Sequence, residues 1–187
     1  TDIKVDKIKA ELVNGKDIIR KEYLAIKNHA SVDQRNLGAI EGSWTSFPLY
    51  SGYGKVSDNC NKCPKTLWLI ESLPLHAFGM AYFSIMHPGT HIKGHYGPTN
   101  ARLRYHLGLD VPPDNIYFRV GSEINRWKQD GCIALDDSFY HEVFQQANRE
   151  RVVFITDCWH PDLTLHEKIF ITKLMYIFIK HSKFSPA

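Results

Sequence analysis

From Gly79 to Asp157 the sequence breaks into short runs rich in β-branched and aromatic residues, each closed by a turn signal. The runs are Met80–His87, Arg102–Val111, Ile116–Val120, Cys132–Asp136, His141–Gln145 and Val152–Asp157. Between them lie His87-Pro88-Gly89-Thr90, Gly97-Pro98-Thr99-Asn100, Pro112-Pro113-Asp114-Asn115 and Gln129-Asp130-Gly131, in which Pro and Gly punctuate the chain. Short strands at close spacing, with few helices between them, predict a mainly β fold: an antiparallel barrel or jelly roll.

Helices are expected on both flanks. Lys16 to His29 brings Ile18, Ile19, Tyr23, Leu24 and Ile26 close to one helical face, with charges opposite. Gly42 to Lys62 reads as turn-rich, and Thr66 to Leu73 as a short helix carrying Leu67, Trp68 and Ile70. After Pro161, Leu163 to Lys180 predicts a closing helix. Its apolar stripe is expected to join the core, or else to form a self-association face. With 187 residues and no repeat or linker, one domain is the simplest organisation. Its expected parts are a helical and irregular segment (1–78), a barrel core (79–160) and a C-terminal helix (161–187).

Several function classes lose support at once. A net charge of +3, with no dense run of Lys and Arg, gives no nucleic-acid footprint. No stretch reaches the ~20 apolar residues that span a bilayer. The opening Thr1-Asp2-Ile3-Lys4 lacks a signal-peptide core, so a cytoplasmic location is the expectation. Four cysteines are too few for a disulfide scaffold. Cys60-x-x-Cys63 is a lone pair where structural zinc wants four ligands, so ordinary thiols or one local disulfide are expected there. Cys132 and Cys158 lie in apolar, strand-like surroundings.

The placement of the ten histidines says more than their number. His87, His91 and His95 fall between two predicted strands and read as one loop, His106 lies in the next strand, and His141 comes much later. Imidazole suits divalent iron, and a mononuclear oxygenase site needs two such ligands plus open positions. Ten residues after His141 comes Arg151, leading into Val152-Val153-Phe154-Ile155. In a barrel that spacing rounds a turn and sets a guanidinium on the adjacent strand, where its planar fork grips a carboxylate. Arg102 and Arg104 alternate with Leu103 and Tyr105, giving that strand one basic face. His87 and His91 are expected to serve loop structure, and Asp136 and Asp137 to be solvated or capping residues.

The strings Ser84-Ile85-Met86-His87-Pro88-Gly89-Thr90-His91, His95-Tyr96-Gly97-Pro98-Thr99-Asn100 and Arg102-Leu103-Arg104-Tyr105-His106-Leu107-Gly108-Leu109 resemble the aspartyl/asparaginyl β-hydroxylase family. So do Asp136-Asp137-Ser138-Phe139-Tyr140-His141-Glu142-Val143 and Asp157-Cys158-Trp159-His160-Pro161, in the same order along the chain. The resemblance implies a double-stranded β-helix (a cupin-like jelly roll) and an Fe(II)- and 2-oxoglutarate-dependent dioxygenase that hydroxylates Asp or Asn side chains, with O₂ as second cosubstrate. Residue by residue it implies His95 and His141 as iron ligands, and Arg151 with Ser84 at the far carboxylate of 2-oxoglutarate. His106 would lie near the 1-carboxylate, Arg104 would face the acidic group of the substrate, and Trp44 would lend an aromatic wall to the substrate. The expected partner is an Asp- or Asn-containing peptide or a small molecule.

Two positions depart from common patterns. Gly97 stands where most iron oxygenases carry Asp or Glu. The resembled family has glycine there with water in the vacant position, and a lost anionic ligand predicts loose iron affinity. Tyr82 stands where family members acting on epidermal-growth-factor-like domains carry lysine, which weakens any assignment of that particular substrate. Competing expectations are hydroxylation of a lipid A acyl chain, a free or carrier-bound amino acid as substrate, and a metal-binding, non-catalytic cupin-like module.

Overall fold

The structure is a computed structural model that describes residues 2–32 and 40–181. Two helices, α1 (Ile3–Asn14) and α2 (Lys16–Ile26), lead into four strands, β1 (Ser31–Val32), β2 (Ile40–Glu41), β3 (Trp44–Ser51) and β4 (Gly54–Lys55). Helices α3 (Ser57–Lys62) and α4 (Pro64–Glu71) follow. Then come β5 (Ala81–Met86), β6 (Thr90–His95), β7 (Arg102–Asp110), β8 (Ile116–Val120), β9 (Glu123–Asn125), β10 (Cys132–Leu135), β11 (His141–Gln145) and β12 (Arg151–Trp159), and finally α5 (Leu165–His181).

Every strand pairing is antiparallel. The larger sheet runs β1-β3-β5-β12-β7-β10, with β4 on β3, and the smaller runs β2-β6-β11-β8-β9. From β5 onward the chain crosses between sheets at nearly every step: β5, β7, β10 and β12 lie in one, β6, β8 and β11 in the other. That alternation is the double-stranded β-helix, and it matches the fold expected from the strand spacing.

The larger sheet is buried on both faces, which explains why β5 reads Ala-Tyr-Phe-Ser-Ile-Met with no exposed position. Side chains alternate across a strand. Phe83 and Ile85 of β5 and Phe154 of β12 therefore pack outward, against Leu12, Ile19, Ile26 and Ile70 of the helical layer. Tyr82, Met86, Val153 and Ile155 point into the barrel and meet Ile92, Phe118 and Val143 of the smaller sheet. Phe154 has no exposed surface, so truncation to Ala would cost about 3–5 kcal/mol.

Several local expectations need correction. Gly42 to Lys62 holds a full strand and a helix, not only turns. Pro48 masks the strand, and the ladder absorbs it through a register shift between Pro48 and Tyr50. The histidine segment is not a loop: Thr90–His95 is strand β6, hidden because Thr90 and Ile92 alone face fully inward. On α2, Ile19, Tyr23 and Ile26 are buried, whereas Ile18 and Leu24 are exposed. On α4, Ile70 is buried and Trp68 faces outward. Helix α5 is not core, since no residue of it is buried and Leu165, Phe170, Leu174, Tyr176, Ile177 and Phe178 are exposed. Cys60 and Cys63 are buried free thiols, one in α3 and one at its end.

Candidate active site

His95 ends β6 and His141 begins β11, and the two residues face each other across the ladder. Their rings lie with centroids 4.2 Å apart. Each Nδ1 is 2.8 Å from the carbonyl oxygen two residues upstream, Lys93 for His95 and Phe139 for His141. A carbonyl only accepts, so Nδ1 carries the hydrogen and Nε2 keeps its lone pair, the form in which imidazole binds a metal. Burial lowers the pKa of His141 and favours the same neutral form. Among the described residues, no group of three or more His, Cys, Asp and Glu side chains is arranged to hold a metal.

Both rings line a cavity inside the barrel that also meets Ser84, His106, Arg151 and Trp127. Arg151 opens β12, next to β5, and is 2% exposed. Its Nη1 donates to Ser84 Oγ at 3.1 Å, while its Nε has no hydrogen-bond partner. Burial pulls the guanidinium down to about 9, and Tyr82 offsets part of that. A buried cation so placed is stabilised by an anion that enters the cavity. Trp44, at the start of β3, donates its indole N–H to the same Ser84 hydroxyl at 2.9 Å, so it stands at the Arg151 end of the cavity.

His106, in the middle of β7, accepts at Nδ1 from the indole N–H of Trp127 at 3.0 Å. Its Nε2 has no partner. Burial first, then Arg151 and Arg104, push its pKa well below the usual histidine range. His106 is thus a neutral ring whose second nitrogen is free to serve a ligand.

Arg104 departs from the simple picture of a free cation facing a substrate. Its Nε and Nη2 grip Asp157 at 2.7 and 2.9 Å, and its Nη1 lies 3.0 Å from Asp137 Oδ2. Arg102 completes the cluster, 3.0 Å from Asp137 and 2.8 Å from Asp157. Burial alone would raise the pKa of Asp157, but Arg104 and Arg102 outweigh it and hold the carboxyl at about 2. Two arginines and two aspartates leave no net charge.

Asp137 therefore corrects the expectation of a solvated residue: it is 1% exposed, and its Oδ1 has no partner. Gly97 makes room for it. A Cβ at Gly97 would lie 2.6 Å from Asp137 Cγ, and Gly97 N–H donates to Asp137 O at 2.6 Å. The space a carboxylate at position 97 would need is filled by Asp137 from the connection between β10 and β11. Asp136 keeps its turn role, accepting from Ser138 N–H at 2.9 Å.

The profile of one protein family, Aspartyl/Asparaginyl beta-hydroxylase, matches residues 4–161. The chain belongs to the aspartyl/asparaginyl β-hydroxylase family. Human aspartyl/asparaginyl beta-hydroxylase is 39% identical over 158 residues, which cover 81% of this chain and 21% of that protein. Human aspartate beta-hydroxylase domain-containing protein 2 is 42% identical over 134 residues, covering 68% of this chain and 36% of the relative. The chain thus spans well under half the length of these relatives. A cupin-2 domain from Rhodospirillum rubrum aligns over 81% of this chain and 86% of its own, with 12% identity and a TM-score of 0.44. The fold assignment rests on the sheet order described above.

The family match takes in all of the residues that build the cavity and stops before α5. Inside it, the structure brings together His95, His141, Ser84, His106, Arg151, Arg104 and Trp44, all of which line the one cavity. It adds two residues that sequence reasoning did not single out, Trp127 and Asp157, and it buries Arg102, read from the sequence as part of a basic strand face, against Asp137 and Asp157. Asp157 stands out only once β12 is known to be buried along most of its length, where a lone acid demands a cation. Trp127 precedes β10 in a segment without a strand pattern, and nothing local marks it.

Proposed function

We propose that this domain is an Fe(II)- and 2-oxoglutarate-dependent hydroxylase of Asp or Asn side chains. One observation carries the reading: two imidazoles with Nδ1 pinned stand side by side in a cavity that also holds a buried arginine with no carboxylate partner among the described residues. The orphaned buried atoms His106 Nε2 and Arg151 Nε fit a dicarboxylate cosubstrate, since each would gain an acceptor from it.

His95 and His141 would hold the iron, and Asp137 Oδ1 would accept from a water beside it in place of the missing third ligand. When bound, iron with O₂ and 2-oxoglutarate supplies the oxidising power that places one oxygen atom on a C–H bond of the substrate, leaving succinate and CO₂. Arg151 and Ser84 would grip the far carboxylate of the cosubstrate, and His106 would donate Nε2–H to the near one. The apolar walls Ile92, Val143 and Ile155 keep bulk water from that cavity. The chain's contribution is placement, which turns a random encounter into a directed one.

Arg104 lines both this cavity and an outer vestibule of about 420 Å³ bounded by Met80, Tyr96 and Pro98. A substrate side chain entering there would meet the unused N–H groups of Arg104. Because Asp137 and Asp157 already neutralise the arginine pair, the site is expected to take an amide with affinity comparable to a carboxylate.

The test is succinate release with Fe(II), 2-oxoglutarate and ascorbate, with and without Asp- and Asn-bearing peptides, and mass spectrometry for a gain of one oxygen. Turnover should disappear in His141→Ala and in Arg151→Ala. Unchanged turnover in both variants would overturn the assignment, and metal binding without any succinate would favour a non-catalytic module.

A further inference from the structure

We infer that Trp127 is a positioning residue that sets how the cosubstrate is held: it fixes His106 as an Nε2–H donor and braces Arg151. The inference rests on the 2-oxoglutarate reading above but stands on its own geometry.

The two nitrogens of a neutral imidazole cannot both donate, and the partner of one decides the state of the other. An indole N–H can only donate. Trp127 Nε1–H therefore obliges His106 Nδ1 to accept, at 3.0 Å, and leaves the hydrogen on Nε2. Nε2 is the atom without a partner on the wall of the cavity. Without the indole, the hydrogen could sit on either nitrogen, and the Nδ1–H form would turn a lone pair toward a carboxylate. The same ring does a second job. The Arg151 guanidinium lies over it, with Cζ 4.7 Å from the ring centroid, an arrangement in which the aromatic face attracts the cation. One side chain thus addresses the groups proposed for both ends of the dicarboxylate.

The backbone is built to deliver it. The turn after Trp127 is tied to β7 by Gly108 N–H donating to Gly131 O at 2.9 Å and Asp130 N–H donating to Gly108 O at 3.1 Å. Val111 N–H donates to Gln129 Oε1 at 3.0 Å, and Gln129 Nε2 donates to Leu109 O at 2.9 Å. Gly108 is needed for that approach, because a Cβ there would collide with the carbonyl oxygen of Lys128. Gly108 lies two residues from His106 on the same strand, so one strand carries the ring and the seat of its partner. Phe118 also packs against the indole, with ring centroids 4.6 Å apart and planes tilted by 43°.

Trp127→Phe removes the N–H together with the fused five-membered ring while keeping an aromatic ring between Arg151 and Phe118, so the histidine form reports donation and the affinity reports donation and packing together. Two readouts are needed. The first is the ¹⁵N spectrum of the histidine rings in the whole, metal-free chain. His106 should show bare Nδ1 and protonated Nε2, and Trp127→Phe should mix the two forms while His95 and His141 keep theirs. The second is 2-oxoglutarate affinity by anaerobic titration of the Fe(II)-loaded protein. Here Trp127→Phe should weaken binding roughly ten- to a hundredfold, the range for losing one hydrogen bond to a charged group. In turnover the KM for 2-oxoglutarate should rise with kcat much less affected. Gly108→Ala, which lifts the turn without touching the site, should move both readouts the same way.

A protonated Nδ1 on His106 in the unaltered protein would overturn the inference, even if no variant folds. So would a Trp127→Phe protein whose His106 form and 2-oxoglutarate affinity are both unchanged. If the tautomer depends on Trp127 as expected but 2-oxoglutarate does not bind the unaltered protein, the cosubstrate reading fails and the orientation of His106 by Trp127 stands.

Discussion

At the scale of single residues the site is governed by which side chain fills each space and which buried atoms stay unpaired. Gly97 is the sharpest case. An alanine there would set its Cβ 2.6 Å from Asp137 Cγ, whose carboxylate is held by Arg102 and Arg104, and 2.7 Å from Asp137 O, which accepts from Gly97 N–H. Gly97→Ala is expected to destabilise the fold by about 1–3 kcal/mol in urea titration. By the same reasoning Gly97→Asp should not restore tight iron binding, and a tighter Fe(II) affinity in that variant would refute the packing argument. Acid should act on the buried neutral histidines first. Burial pulls His76 down to about 4, and His106 is lowered too, so below about pH 6.5 the unfolded chain binds protons that the folded chain refuses. Stability is then lost as pH falls through that window. Asp157, held at about 2 against about 3.8 in the unfolded chain, adds a second loss of about 2 kcal/mol between those values. Urea midpoints at pH 7, 5 and 3 check this, and an unchanged midpoint between pH 7 and 5 would contradict it. The residues that meet in the cavity were legible in the sequence because the strings around them are long and ordered. The pairing of Arg104 was not, because the partners of a buried charge come from strands far away in the chain.

At the scale of elements, β12 is the spine of the molecule. It pairs with β5 on one side and β7 on the other, carries Arg151 at one end and Asp157 near the other, and is buried from Arg151 to Cys158. Such a strand tolerates little, yet it holds one polar atom that does nothing. Thr156 has no exposed surface and its Oγ1 has no hydrogen-bond partner. Replacing it by the near-isosteric valine removes an unsatisfied hydroxyl at the cost of no contact. Thr156→Val should therefore be neutral or stabilise by up to about 1 kcal/mol in chemical denaturation. A loss above 1 kcal/mol would mean that the hydroxyl is satisfied in solution. Strands so covered announce themselves as apolar runs, which made β5 and β12 legible to within a few residues; β7, β8, β10 and β11 were legible from β-branched and aromatic residues between turn signals. Two other strands were hidden. The outward positions His91 and Lys93 dilute β6, and Pro48 interrupts β3. The amphipathic period of α2 was readable in part, since Ile18 and Leu24 sit at its exposed edge and blur the face defined by Ile19, Tyr23 and Ile26.

At the scale of the whole molecule, the domain divides into a body that makes the site and one helix that does not touch it. Helix α5 begins after the last residue of the family match and buries none of its side chains. Only Lys168, Ile171, Thr172, Met175 and Ile179 are half-covered, a single helical stripe at spacings of three and four. Lys168 and Thr172 of that row share a surface groove with Leu73, Pro74 and Trp159. A hydrophobic period in sequence signals burial only when another element supplies the second surface, and here the described residues supply it along that one stripe. A chain ending at Thr164 should accordingly keep 2-oxoglutarate turnover within about twofold. Its thermal midpoint should fall by no more than about 5 °C, given roughly 2–4 °C per kcal/mol for a domain of this size. Removing Leu165, Phe170, Leu174, Tyr176, Ile177 and Phe178 takes away contiguous exposed apolar surface, so light scattering at high concentration should drop. Collapse of the cooperative melt in the shortened chain would show the opposite: the groove beside Trp159 would then need α5 as its lid, and the helix would count as part of the barrel's own wall.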